Sequence, residues 1–170
     1  MHFITASDAA EIYRDQASHH QFGPADIRKI GRSVGNEVGY QKHGDFALTP
    51  AEVMYLLVQS VVDRTSGKGT PVLALHDSPL GPTGTAPAMP EEVTTDLNQF
   101  TRTSSDVLAF MNRLHRVPSS VWLGSTAVTP EAYLVALARL LTDMDKRTPI
   151  GDTVVLKRSE ERRVGKECRL

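Results

Sequence analysis

Two passages of this chain, eighty residues apart, carry the same local instructions. Gly44-Asp45-Phe46-Ala47-Leu48-Thr49-Pro50 recurs without a gap as Gly124-Ser125-Thr126-Ala127-Val128-Thr129-Pro130. The same offset pairs Asp26 with Asp106, Ile27 with Val107, Ile30 with Phe110, Val34 with Leu114, Met54 with Leu134 and Leu57 with Leu137. Identities are few, but apolar positions match at helical spacing on both sides of the Gly and Thr-Pro marks. A supersecondary unit used twice restricts a fold more than composition does, because each copy must bury the same faces.

One unit can be read from its punctuation. Thr49 suits an N-cap, Pro50 fits the first helical position with its missing N–H, and Glu52 completes a capping box, so a helix starts at about residue 50. Val53, Met54, Leu57, Val58 and Val61 give it an apolar stripe, and Thr65-Ser66-Gly67-Lys68-Gly69 ends it. The second copy starts at Thr129-Pro130, with Tyr133, Leu134, Leu137, Ala138 and Leu141 as its stripe. A helix precedes each of these. Pro24 to Val34 places Ile27, Ile30 and Val34 on one side and ends at Gly35. Pro90-Glu91-Glu92 reads as the start of its long counterpart, from about 91 to 116, with a break near Thr103-Ser104-Ser105 as the alternative and Pro118 as the stop. Between the helices of each pair lies a hairpin. Ser120 to Leu123 turns at Gly124-Ser125 into Thr126 to Val128, and Val38 to Leu48 turns at His43-Gly44-Asp45. Pro71 to Leu75 and Thr153 to Leu156 read as strands, and Ser78 to Pro90 as a Pro/Gly linker. Thr5-Ala6-Ser7-Asp8 starts a further helix to about Ser18.

The expected architecture is α+β, mainly helical, with two tandem helix–β-hairpin–helix units. The first spans 1–70, and the second, with its leading strand and linker, spans 71–157. Leu57, Val61, Val107, Phe110, Leu134 and Leu137 are the expected core. The formal charge of −1 supplies no field for nucleic acid, and no run of residues is long and apolar enough to span a bilayer.

Few residues point to chemistry. His76-Asp77-Ser78 follows a strand and could border a metal or general-base site, but no second ligand pair stands at a recognisable spacing. A polar strand exit is the plainer reading. His19 and His20 are adjacent and would face apart on a helix, which suits a helix C-terminus better than chelation. His2, His43 and His115 stand alone. Ser66-Gly67-Lys68-Gly69-Thr70 has phosphate-loop composition in the wrong order and follows a helix instead of opening one. Gly31, Gly35 and Gly39 recur every four residues, which reads as backbone freedom and not as a dimer face. No catalytic set, metal set or cofactor site is expected. The candidate ligand-binding residues are Trp122, the single tryptophan, and Tyr40, its rough counterpart, because an exposed aromatic on a hairpin can stack on the C–H face of a sugar. Strand alternation leaves two placements. The more ordinary one turns Trp122 inward as an anchor, with Val121 and Leu123 out. The other turns Trp122 outward.

Two resemblances extend this reading. Residues Asp106 to Ala138, through Val117-Pro118-Ser119-Ser120-Val121, Gly124 and Thr129 onward, resemble the pseudomurein-binding-repeat type of cell-wall module. Val117 replaces the usual Leu, and Tyr133-Leu134 stands where Phe-Leu is expected. The resemblance implies a non-catalytic repeat that holds a larger prokaryotic surface or secreted protein on a glycan polymer. Arg158 to Arg169 resembles a conceptual translation of a short-read sequencing adapter. That implies that residues 158–170 are a non-native tail and that the native chain continues differently after Lys157. The tail holds five of the 19 basic and three of the 20 acidic residues, so residues 1–157 carry −3, and it holds Cys168, the single cysteine. The expected function is a binding or anchoring repeat module, with a cell-wall polysaccharide as partner. The alternatives are an accessory segment of a hydrolase whose catalytic part lies beyond this chain, bordered by His76 and Asp77, and an intracellular helical interaction scaffold.

Overall fold

The computed structural model describes residue 5 and residues 20–35, 38–44, 46–75, 78–146 and 151–158. The helix expected from residue 5 to 18, His76, Asp77 and the tail from 159 onward lie outside the described residues. The elements are β1 (Gln21–Phe22), α1 (Pro24–Ser33), β2 (Gln41–His43), β3 (Phe46–Leu48), α2 (Pro50–Thr65) and β4 (Leu73–Ala74). They continue with β5 (Glu92–Asp96), α3 (Leu97–Leu114), β6 (Val121–Leu123), β7 (Thr126–Val128), α4 (Pro130–Asp145) and β8 (Thr153–Lys157). The fold is α+β and mainly helical. Its strands form antiparallel pairs: β1 with β4, β2 with β3, β5 with β8 and β6 with β7. The bounds of β6, β7 and α4 are those of β2, β3 and α2 displaced by eighty residues.

The Thr-Pro marks act as the local chemistry requires. Thr49 Oγ1 accepts from the Glu52 N–H at 3.2 Å, and the Glu52 carboxylate accepts from the Thr49 N–H at 2.7 Å. Thr129 Oγ1 accepts from the Ala132 N–H at 3.2 Å, but alanine returns no bond, so α4 has a single cap where α2 has a reciprocal one. Gly44 and Gly124 open the two hairpin turns at φ of 60° and 62°, a left-handed conformation that glycine adopts without a Cβ penalty.

The expected helix start at Pro90-Glu91-Glu92 is corrected. Glu92–Asp96 is a strand, paired from Glu92 opposite Lys157 to Asp96 opposite Thr153. Val93, Thr94 and Thr95 are β-branched, and Val93 gains burial beside Val154 and Leu156. Asp96 then caps α3, its Oδ1 accepting from the Gln99 N–H at 2.8 Å. No break follows at Thr103-Ser104-Ser105. The Ser104 hydroxyl bonds the Phe100 carbonyl at 2.9 Å inside the helix and meets the Tyr133 hydroxyl at 2.7 Å. The linker is also tied down. Leu80 bridges to Arg116, and the Gly84 N–H donates to Ser119 Oγ at 2.8 Å.

Helix pairing crosses the chain. α3 packs along α2, α1 packs along α4, and α2 and α4 pack on each other. One hydrophobic core draws residues from both halves. Of the expected core, Leu57, Val61, Val107, Leu134 and Leu137 are buried, while Phe110 is only partly so. Ile30 is buried beside Gly31 in α1, but at the matching place in α3 the bulk sits one residue later, in the buried Met111. Met111 takes the centre of the buried stripe and Phe110 is left at its edge. Gly31 is also corrected as a mere source of backbone freedom. It lies within α1, and a Cβ there would meet the Ala138 carbonyl at 3.9 Å, an ordinary van der Waals distance, so the position faces α4 without requiring glycine.

Candidate functional site

The β6–β7 hairpin is built from alternation. Val121 and Leu123 are 1% and 5% exposed and anchor it to the core, and Trp122 between them is 60% exposed. The ordinary expectation of an inward Trp122 is therefore overturned. Two small branched side chains fill the space against the helices, and parity sends the indole out. Its neighbour across the ladder is Ala127, too small to cover the ring. Thr103 of α3 donates through Oγ1 to the Trp122 carbonyl at 3.0 Å, which fixes the backbone under the exposed ring. Thr103 was not legible as a support, since a threonine in mid-helix carries no sequence signal for a partner nineteen residues on.

Tyr40 is 77% exposed and lies just before β2. No ring contact joins it to Trp122 among the described residues. By the eighty-residue offset the position matching Trp122 is Lys42, the outward residue at the centre of β2. The two hairpins thus present different chemistry, an aromatic ring on one and an ammonium on the other.

The remaining polar features are structural. Ser66 to Thr70 closes α2, with Gly67 and Gly69 left-handed, and opens no helix. Ser78 bonds its hydroxyl to the buried Glu52 carboxylate, so this residue of the His76-Asp77-Ser78 exit braces the α2 cap. Among the described residues, no group of three or more His, Cys, Asp and Glu is placed to hold a metal ion. No described helix is long and apolar enough to cross a membrane.

His43 stands alone in the sequence but has close neighbours in the fold. Its Nε2 is 3.5 Å from Asp26, and its ring lies 5.7 Å from that of His20 and 5.5 Å from that of Phe22. Burial pulls its imidazole below the usual histidine range; Asp26 opposes this, and His20 and Lys29 add to the lowering. The unfolded chain therefore takes up this proton at higher pH than the folded one. The stability tied to His43 is whole above the unfolded value of about 6.5 and is lost as pH falls through it toward the lower folded value. The expected result is a smaller drop in urea midpoint between about pH 7.5 and pH 5.5 for His43→Leu than for the parent chain. Leucine is the residue at the matching position, Leu123.

No family model, curated protein or solved structure matches this chain.

Proposed function

We propose that the chain is a non-catalytic binding module made of two tandem helix–hairpin–helix units, which anchors a longer protein on a cell-wall glycan. The observation that carries the reading is Trp122, a large apolar ring held in solvent between two buried neighbours. An exposed tryptophan offers a flat apolar face and an N–H donor at its edge, which suits a partner that also has a flat apolar face. A pyranose ring has such a face in its axial C–H groups, and the indole N–H can donate to its hydroxyls. The tandem reading is supported by the matching bounds and caps of α2 and α4. The resemblance of Asp106 to Ala138 to pseudomurein-binding repeats points to the same class of ligand.

The test is retention of the chain on purified cell-wall polysaccharide, with Trp122→Ala as the variant. Retention is expected to weaken roughly tenfold, about 1.4 kcal/mol. Circular dichroism and thermal unfolding are expected to stay as in the parent, because exposed substitutions change stability by about 0.5 kcal/mol or less. Absence of retention on every wall preparation, or equal retention of the folded variant, rejects the proposal.

A further inference from the structure

Trp122 owes its position to α3 as well as to its own hairpin. Leu123 and Thr126 flank the two-residue turn and exchange backbone hydrogen bonds, so the next pair, Trp122 and Ala127, aims its amides and carbonyls away from the ladder. On the β6 side the Trp122 carbonyl accepts from Thr103 Oγ1 at 3.0 Å. Thr103 is 3% exposed, and its hydroxyl has a single proton, which that carbonyl takes. The same oxygen accepts from Gln99 Nε2 at 3.2 Å, one turn earlier on α3. Because Thr103 has no second proton to give, Gln99 must present its amide nitrogen there, and the network fixes which way the amide points.

Gln99 is held at both ends. Its backbone N–H donates to Asp96 at 2.8 Å in the cap of α3, and one Nε2 proton goes to Thr103. The other Nε2 proton and the Oε1 carbonyl have no protein partner among the described residues, and the residue is half-buried. An amide with a donor and an acceptor to spare thus stands two hydrogen bonds from the carbonyl of the displayed tryptophan. Water serves the free amide of an ordinary surface glutamine, which keeps its rotamer freedom. Here that freedom is lost on folding and is not lost again on binding.

The other hairpin provides an internal control. Lys42 stands there at the position of Trp122, and Gly23, with no hydroxyl, at the position of Thr103. α1 begins at Pro24, which matches Ser104, whereas α3 begins already at Leu97. The turns of α3 that carry Gln99 and Thr103 therefore accompany the hairpin that displays a ring. This comparison rests on the tandem reading above; the hydrogen bonds do not.

We propose that Gln99 is the polar contact of the Trp122 site, binding two neighbouring hydroxyls of the sugar stacked on the indole, and that Thr103 is the positioning residue that holds both. Stacking occupies the C–H face of a pyranose and leaves its equatorial hydroxyls at the rim. Each hydroxyl can donate or accept, so a vicinal pair matches the one donor and one acceptor of the amide. The inference rests on the reading of Trp122 as a glycan platform and adds the chemistry that would select among glycans.

Two measurements test it. Trp122 is the single tryptophan, so its fluorescence anisotropy decay in the free chain reports how firmly the hairpin is held. Thr103→Val is expected to add a fast component to that decay, and Thr103→Ser, which keeps the hydroxyl, to restore the parent decay. On purified cell-wall polysaccharide, Gln99→Leu is expected to weaken retention about threefold to tenfold, the effect of one or two neutral hydrogen bonds, with the anisotropy decay and urea midpoint of the parent. Thr103→Val is expected to weaken it too, and Thr103→Ser to recover it. Equal retention of Gln99→Leu, or an unchanged decay in a folded Thr103→Val, overturns the proposal. Should Thr103→Val fail to fold, Gln99→Leu decides alone. If Trp122→Ala weakens retention and Gln99→Leu does not, this inference falls and the platform reading stands. If the parent is retained on no wall preparation, both fall.

Discussion

Replacing Phe100 by alanine is expected to lower the unfolding free energy by about 3–5 kcal/mol, the range for removing a fully enclosed aromatic side chain. Phe100 has no exposed surface. Its ring centroid lies 4.9 Å from that of Tyr133, tilted by 33°, and Tyr133 is itself fully enclosed. One turn later the Ser104 hydroxyl bonds the Tyr133 hydroxyl, whose ionisation burial pushes far above the usual tyrosine range. Truncating Phe100 removes transfer energy and leaves a cavity against a hydrogen-bonded pair that has no freedom to collapse into it. Urea unfolding by tryptophan fluorescence measures the loss. Phe110→Ala is the comparison, since that ring is only partly buried. A cost for Phe100 no larger than for Phe110 would contradict the packing described for α3.

Asp145→Asn is expected to destabilise the chain by about 1.5–3 kcal/mol, the range for losing a charged hydrogen bond, here in a partly buried ion pair. Arg64 near the end of α2 and Asp145 at the end of α4 meet at 2.9 Å, with 11% and 17% of their side-chain surfaces exposed. Arg64 Nε already lacks a hydrogen-bond partner among the described residues, so the guanidinium has little to fall back on when the carboxylate is neutralised. The positions eighty residues away suggest the contrasting variant. Met144 matches Arg64 and Thr65 matches Asp145. The double replacement Arg64→Met with Asp145→Thr removes both charges and is expected to cost about 1 kcal/mol or less, because no uncompensated ion remains. Chemical denaturation of the three proteins tests the pair. Additive costs for the single and double variants would show that the two groups do not interact.

The five predictions divide along the line between local and tertiary information. Elements with complete local chemistry were legible. Thr49-Pro50 and Thr129-Pro130 carry a cap, a fixed φ and an apolar stripe within sixteen residues, and the helices begin where those residues place them. Gly44 and Gly124 mark both turns, because no other residue type enters a left-handed turn as cheaply. The stretch from Glu92 to Asp96 was misread, because Pro90-Glu91-Glu92 is a sound helix start by local rules. The strand wins through pairing with β8, about sixty residues later in the chain. Phe110 was expected in the core and is only partly buried, for a related reason. A helical period marks it as apolar, but the partner helix decides which side chain lies at the centre of the contact.

The candidate site shows the same division. Trp122 was singled out as a lone aromatic on a hairpin, yet the inward placement favoured for it was wrong, since alternation fixes only that it opposes Val121 and Leu123. Which face of a short hairpin meets the core depends on the volumes of the helices behind it.

By itself, the sequence determined the helices α2 and α4 with their caps, the two glycine turns and the recurrence of this pattern at an interval of eighty residues. Tertiary structure alone decided that α1 pairs with α4 and α3 with α2, that the indole of Trp122 faces solvent, and that Glu92–Asp96 is a strand paired with β8. The physical reason is range. Capping, turn conformation and amphipathic period act within a few residues along the backbone, whereas burial, cavity volume and ion pairing depend on which distant surfaces come within a few ångströms of each other.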